Sequence, residues 1–289
     1  MQIIVNGLIS GSSIALLAVA FQAVYLPTRI FFLGLAGIYS LAPFLSYAIL
    51  QCGLSWWVAL PATVFGCVAV SVGCEWANHS RLTHRGASSS VHLIASLGIY
   101  IVLVQIIAMT WGNDPKILRA GIDATTHFGD VVITKSQWIT LAAAVFLISG
   151  LAFLLTRSDL GLRLRAMADN PVQFALFGYN LDRYRLLAFG LGGLLACISA
   201  LVTAYDFGFD AQAGLHAVLL AVVAVIIGGR STFIGPVLGA VLLGLLRAQI
   251  GWHWSARWQE AATFALLACC LLFRPHGLLG RKNRLEEAR

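Results

Sequence analysis

From Ser136 to Thr156 the chain reads SQWITLAAAVFLISGLAFLLT, and from Arg157 to Asn170 it turns to RSDLGLRLRAMADN. The first stretch carries no formal charge. At 1.5 Å per residue it covers about 30 Å, the thickness of a bilayer's hydrocarbon core. Backbone amides in lipid find no water, so such a stretch satisfies them internally as a helix. The arginines that follow mark its exit into water. Working outward, comparable runs lie near 2–25, 30–50, 54–77, 91–111, 186–206, 211–228, 232–250 and 258–273. Barrel strands alternate over segments of about ten residues; these runs are continuous and longer.

Composition agrees. Apolar residues make up 59% of the 289 residues and charged ones 11%, against about 25% charged in soluble domains. By length alone two soluble domains would fit, but the apolar runs recur throughout with short connections. The expectation is all-α: one polytopic transmembrane helix bundle over residues 1–289, with eight or nine spans. The 30–50 run is the least regular, interrupted by Gly34, Gly37 and Pro43; as a re-entrant segment it would leave eight. Gly7-x-x-x-Gly11 and Gly235-x-x-x-Gly239 are spacings that let helix backbones approach closely.

Lysine and arginine concentrate in cytoplasmic loops. Nine alternating spans put 14 of the 19 basic residues on one side and leave Lys116, Arg119, Lys135, Arg247 and Arg257 on the other. This predicts the N-terminus outside and the C-terminus inside. The net charge of +7 then belongs to topology and to anionic lipid, not to nucleic acid. No basic n-region precedes the first apolar run, so that run reads as a retained span.

Two polar stretches interrupt the bundle. Residues 112–135 balance Asp114, Asp123 and Asp130 against Lys116, Arg119 and Lys135; they read as an external loop with an extended piece at 130–134. Residues 157–185 read as a cytoplasmic loop of two short helices. Gly161 breaks the preceding span, and one helix runs from Leu162 to Asp169. Asn170 before Pro171 is an N-cap followed by proline at the first helical position. Gly178 supplies a left-handed C-cap, and Asp182 caps the next span. Ala166, Ala168 and Ala175 leave room for a docked protein.

Several chemistries lack their signatures. No G-x-x-x-x-G-K-[ST] loop, H-E-x-x-H helix or G-x-S-x-G turn occurs. The six cysteines form no C-x-x-C pair, and no metal-ligand spacing with histidine is present. The acidic residues fall in loops or near span ends, Glu75, Asp206 and Glu260 coming closest to the core. No mid-span proton relay is therefore expected. Polar groups inside spans, Asn6, Gln22, Tyr39, Ser40, Gln105 and Tyr205, are candidates for a solute pathway. An amide or hydroxyl in lipid must face a partner or a wet cavity.

Gly161 to Gly178, with Arg165-Ala166-x-Ala168 and Ala175-x-x-Gly178, resembles the coupling loop of permease subunits in ABC importers. The whole chain resembles the branched-chain amino acid importer permeases. Asn6-Gly7, Gly11-Ser12-x-x-Ala15-Leu16 and Tyr25 are similar to that family's first span. Gly228 to Gly239, including Arg230 and Ser231, looks like its late Gly-rich turn, and Arg274-Pro275-His276-Gly277-Leu278-Leu279-Gly280-Arg281 looks like its closing box. The resemblance implies a multi-pass subunit of a bacterial cytoplasmic membrane. It also implies partners: a second homologous permease, two cytoplasmic ATP-binding subunits and an extracytoplasmic solute-binding protein. ATP would be bound by those subunits, with no cofactor or metal in this chain. Gly161, Arg163, Arg165, Ala166, Ala168, Asp169, Ala175 and Gly178 would form the ATPase-coupling loop.

Departures accompany the likeness. A family run of the type Asn-Phe-Ala-His-Gly is matched by Phe32-Leu33-Gly34-Leu35-Ala36, a lysine by Leu220, and a glutamate by Arg247. A more apolar pathway follows, suited to a hydrophobic acid, an amide or another small solute. The alternative reading is a secondary transporter or channel working without ATPases, and a further one is a non-transporting membrane scaffold.

Overall fold

The structure, a computed structural model, describes residues 1–119, 124–128, 131–229, 232–274 and 276–279. It opens with α1 (Gln2–Thr28) and α2 (Gly34–Gln51). α3 (Trp56–Cys74) passes through a single π-turn at Glu75–His79 into α4 (Ser80–His84), and α5 (Ser89–Trp111) follows. A hairpin of β1 (Thr125–Phe128) and β2 (Val131–Thr134) precedes α6 (Lys135–Arg157). Two short helices, α7 (Asp159–Asp169) and α8 (Pro171–Leu176), lead to α9 (Leu181–Phe207). α10 (Ala213–Gly228), α11 (Gly235–His253) and α12 (Trp258–Phe273) complete the chain. Among the described residues, seven helical stretches are long and apolar enough to cross a membrane, and α10 and α12 are shorter apolar helices. Together these are the nine expected runs.

The 30–50 run is more regular than its glycines and proline suggest. α2 begins at Gly34, beyond the irregular stretch, and then continues through Pro43. It is also among the most enclosed helices, with Leu35, Ala36, Ile38, Ala42 and Phe44 wholly buried. Tertiary packing outweighs the cost of one missing amide.

Close backbone approach organises the centre. Gly7 faces Leu245 and Ala248, while Gly11 faces Ala240, Val241 and Gly244. Rising numbers on α1 meet falling numbers on α11, so the two helices are antiparallel. A side chain at Gly11 or Gly244 would drive into the other helix's backbone. Gly239 likewise lies on the Ala224 carbonyl of α10. Both small-x-x-x-small pairs therefore mark real contacts. α9 also runs antiparallel to α1: Gly192 meets Val24 and Ala20, and the Ser199 hydroxyl donates to the Ser13 carbonyl.

The two ends of the bundle are chemically distinct. At one end Arg29 closes α1 in a left-handed conformation (φ 59°), and its Nη2 donates to the Ala168 carbonyl of α7 at 3.2 Å. His84 lies 3.3 Å from Asp182 at the same end. At the other, Gln2 exchanges side-chain hydrogen bonds with the Val132 backbone at 2.9 and 3.0 Å. Lys116 and Phe209 there bond backbone to backbone in both directions at 2.9 Å. The first end, rich in arginine, is the one the positive-inside rule expects in the cytoplasm; Gln2 would then lie outside and Phe273 inside.

The last described residues fold back onto the α10–α11 turn. The amides of Leu278 and Leu279 donate to the carbonyls of Ile227 and Gly228 at 2.8 and 3.0 Å. Gly277 (φ 78°) sits against Gly229, where a Cβ has no room. The Gly-rich turn and the closing box are thus one structural unit. Arg230, Ser231, Pro275, Gly280 and Arg281 of those motifs lie outside the described residues, as do Asp123 and Asp130 of the external loop.

Candidate functional site

The arginine-rich end is built around α7 and α8. α6 ends at Arg157, and Ser158 both closes it and caps α7, accepting from the Gly161 amide at 3.1 Å. The break therefore falls at Ser158. Gly161 lies inside α7, pressed on the backbone of Leu154 and Leu155; its missing side chain permits the sharp turn between the helices. Asn170 caps α8 through the amides of Val172 and Gln173 at 3.1 and 3.0 Å, with Pro171 at the first position. Gly178 follows in the left-handed region, φ 84°. The cap of α9 is Asn180, which accepts from the Asp182 and Arg183 amides; Asp182 stands in the first turn, facing His84.

An aromatic and arginine knot fixes this loop. The buried Phe174 ring stacks on Tyr179 at 4.9 Å and meets Tyr184 edge-on at 5.2 Å. The Arg163 guanidinium lies 5.2 Å from the Tyr179 ring and donates to the Tyr184 hydroxyl at 2.9 Å. That hydroxyl holds the guanidinium more firmly protonated than usual. Ala166, Asp169 and Ala175 are exposed, Arg165 is half-buried, and Ala168 is buried beneath Arg29. Beyond the predicted residues, α8 and its end expose Val172 (69%), Leu176 (82%) and Phe177 (80%). Large apolar side chains in water at a capped, anchored turn form a protruding patch. Four of the six residues in the VQFALF segment being large and apolar would have pointed to it.

In the opposite half of the bundle, α1, α2, α9, α10 and α11 enclose a cavity of about 650 Å³. On α1 its wall runs from Ser10 to Leu17 and on α10 from Ala213 to Leu220, so it stops short of the arginine-rich end. The Lys116–Phe209 backbone bridge bounds it on the outer side. Hydroxyls come from Ser10, Ser13, Tyr39 and Thr203. Asp210, His216, Lys116 and Arg247 add ionisable groups.

Of the predicted pathway residues, Tyr39 lines this cavity and Ser40 an adjoining recess. The Ser40 hydroxyl accepts from the Gly214 amide at 3.2 Å. The others lie elsewhere. Asn6 is exposed at the outer end of α1, accepting from Gln2 at 3.0 Å. Gln22 is buried, donating to the Thr232 carbonyl at 3.0 Å. Gln105 is on an exposed face of α5, and Tyr205 packs edge-on to Trp56 at 6.2 Å. Not predicted for the pathway were Ser10 and Ser13, whose spacing of three puts them on one helix face, and Arg247, inside the 232–250 run, which α11 brings to the cavity wall.

The third span does not end beside Glu75 but continues to His84, leaving that carboxylate deep in the helix and 1% exposed. It pairs with Arg185, itself inside α9 and 8% exposed. Beside them His79 and His92 meet Nδ1 to Nδ1 at 3.2 Å, against the rings of Phe32 and Phe189. Glu75 and His79 are the first and last residues of the π-turn, while Arg185 and His92 reach them from α9 and α5.

Many apolar spans, a cavity with polar groups on a largely apolar wall and an anchored loop at the arginine-rich end define the class of multi-pass membrane permeases. The chain belongs to the family described as the permease component of the branched-chain amino acid transport system, whose profile matches residues 3–271. It is 26% identical to the high-affinity branched-chain amino acid transport system permease protein BraD of Pseudomonas aeruginosa, covering 97% of this chain and 96% of the relative. With the corresponding LivH of Escherichia coli strain K12 it shares 25% identity over the same proportions. A partial likeness, 29% over 53% of this chain and 44% of the relative, links it to the autoinducer 2 import system permease protein LsrC of Yersinia pestis.

Proposed function

We propose that this permease is the membrane subunit of an ATP-driven importer carrying a small, hydrophobic, amino-acid-like solute across the cytoplasmic membrane. Residues 1–289 act as one transmembrane domain, with 157–185 as its coupling loop. On this reading ATP is bound by two separate cytoplasmic subunits. A second homologous permease completes the pathway, and an extracytoplasmic binding protein delivers the solute to the outer cavity. The names of BraD and LivH, relatives along nearly the whole length, support an amino acid as the cargo.

The observation that carries this reading is the exposed Val172–Leu176–Phe177 patch on a loop held rigid by Arg163, Phe174, Tyr179 and Tyr184. Burying such a patch in a groove of a partner gains the hydrophobic contribution, about 1.5–3 kcal/mol for each large side chain. The same rigidity passes the partner's closure on to α6 and α9. Arg29 extends the connection to α1, which lines the cavity. This is a two-state coupling between distant sites.

The test is co-expression of the tagged permease with its neighbouring transport subunits. An ATPase pair should co-purify, and proteoliposomes should take up solute only with ATP and loaded binding protein. Uptake by the purified permease alone would replace this reading with a secondary transporter or channel.

A further inference from the structure

We propose that Arg247 makes the outer cavity selective for solutes bearing a carboxylate on a short apolar tail. The proposal rests on the reading that this cavity lies on the solute's path. Arg247 is inside α11, within a membrane-spanning stretch. An arginine there is costly unless an acceptor or water meets it. Its Nη1 donates to the Thr263 hydroxyl at 3.2 Å and its Nη2 to the Gln259 side-chain oxygen at 3.4 Å. Both acceptors are neutral, so they orient the guanidinium from α12 without cancelling its charge. A guanidinium carries five N–H donors in a planar fork that matches a carboxylate.

The surrounding charges favour the same ligand. Glu260 attracts Arg247 but is itself exposed, 3.7 Å from His216. The carboxylate that does line the cavity is Asp210, whose Oδ1 is taken by the Gln212 and Ala213 amides at 2.8 and 2.7 Å. Lys116 adds a second positive charge to the wall. On the cavity wall itself Lys116 and Arg247 outnumber Asp210 in formal charge, while Asp206 lines an adjoining recess and is bonded to the Ser136 hydroxyl. Ile14, Leu17, Ala217 and Leu220 form its apolar side. A carboxylate at Arg247 leaves a branched hydrocarbon tail to lie along them, whereas a neutral amide of the same shape gives up the charge-assisted bonds.

Equilibrium binding to the full-length permease in lipid nanodiscs tests this, with two matched pairs as probes: isocaproate against isocaproamide, and leucine against leucinamide. In at least one pair the acid should bind about tenfold or more tightly than its amide. Arg247→Gln should abolish that preference, and Arg247→Lys should keep part of it. No preference in either pair, absence of binding included, overturns the proposal even if the variants do not fold. A preference retained in folded Arg247→Gln also overturns it. These measurements need no ATPase, so failure of the importer reading would show separately, as lack of co-purification with normal acid binding.

Discussion

Arg163 of α7 donates to the hydroxyl of Tyr184 on α9 at 2.9 Å. One hydrogen bond thereby joins the loop at the cytoplasmic face to a helix that runs the length of the bundle to the cavity. Arg163 also covers the Tyr179 ring, tying the segment after α8 to the same arginine that holds α9. Reversing charge at Arg163 and Arg165 should leave membrane insertion normal. In the assembled complex, ATP hydrolysis should persist while uptake falls to a small fraction. Uptake and hydrolysis measured together in proteoliposomes check this; unchanged uptake would remove the loop from the coupling path. Gly178→Val, strained at φ 84°, should act in the same direction.

The Glu75–Arg185 pair is buried between the π-turn after α3 and α9. Removing one partner leaves a charge without compensation, at a cost of about 3–5 kcal/mol. Glu75→Gln and Arg185→Met should each lower the thermal unfolding midpoint of the purified protein sharply. The double variant should be less destabilised than the two losses added together. Strict additivity would show that the pair does not interact energetically.

Gly11 and Gly244 meet backbone to backbone. Gly11→Val should force α1 and α11 apart and destabilise the protein by about 1–3 kcal/mol or more. The readout is the folded yield in membranes together with the unfolding midpoint. Gly98, with open space around it on α5, is the control: Gly98→Ala should be tolerated.

Sidedness can be read by labelling. In a variant lacking the six native cysteines, Phe177→Cys should react with an impermeant maleimide only from the cytoplasmic side. Lys116→Cys should react only from outside. Labelling of residue 177 in intact cells would invert the topology and, with it, the docking role of α8.

The spans were legible because lipid imposes a one-dimensional constraint: about 20 apolar residues in a row must be a helix, whatever packs beside them. The caps at Asn170 and Gly178 were legible for a similarly local reason, since capping joins residues two to four apart. Span ends were less so. The helix from Trp56 continues past Glu75 to His84, and the partner of that buried carboxylate, Arg185, is distant in sequence. Without that partner an acidic residue reads as the edge of a span.

The chain by itself determined that it would thread a membrane many times, which end of the bundle would hold its arginines, and that a capped loop would stand among them. Local hydrophobicity, charge and capping suffice for those features. Only the tertiary structure decided which polar groups share a cavity: Tyr39 and Arg247 do, while Asn6, Gln105 and Tyr205 do not. A polar residue in a span carries no record of which neighbour it faces. That is set by the rotation of each helix, and here the rotation follows from glycine contacts such as Gly11 on Gly244.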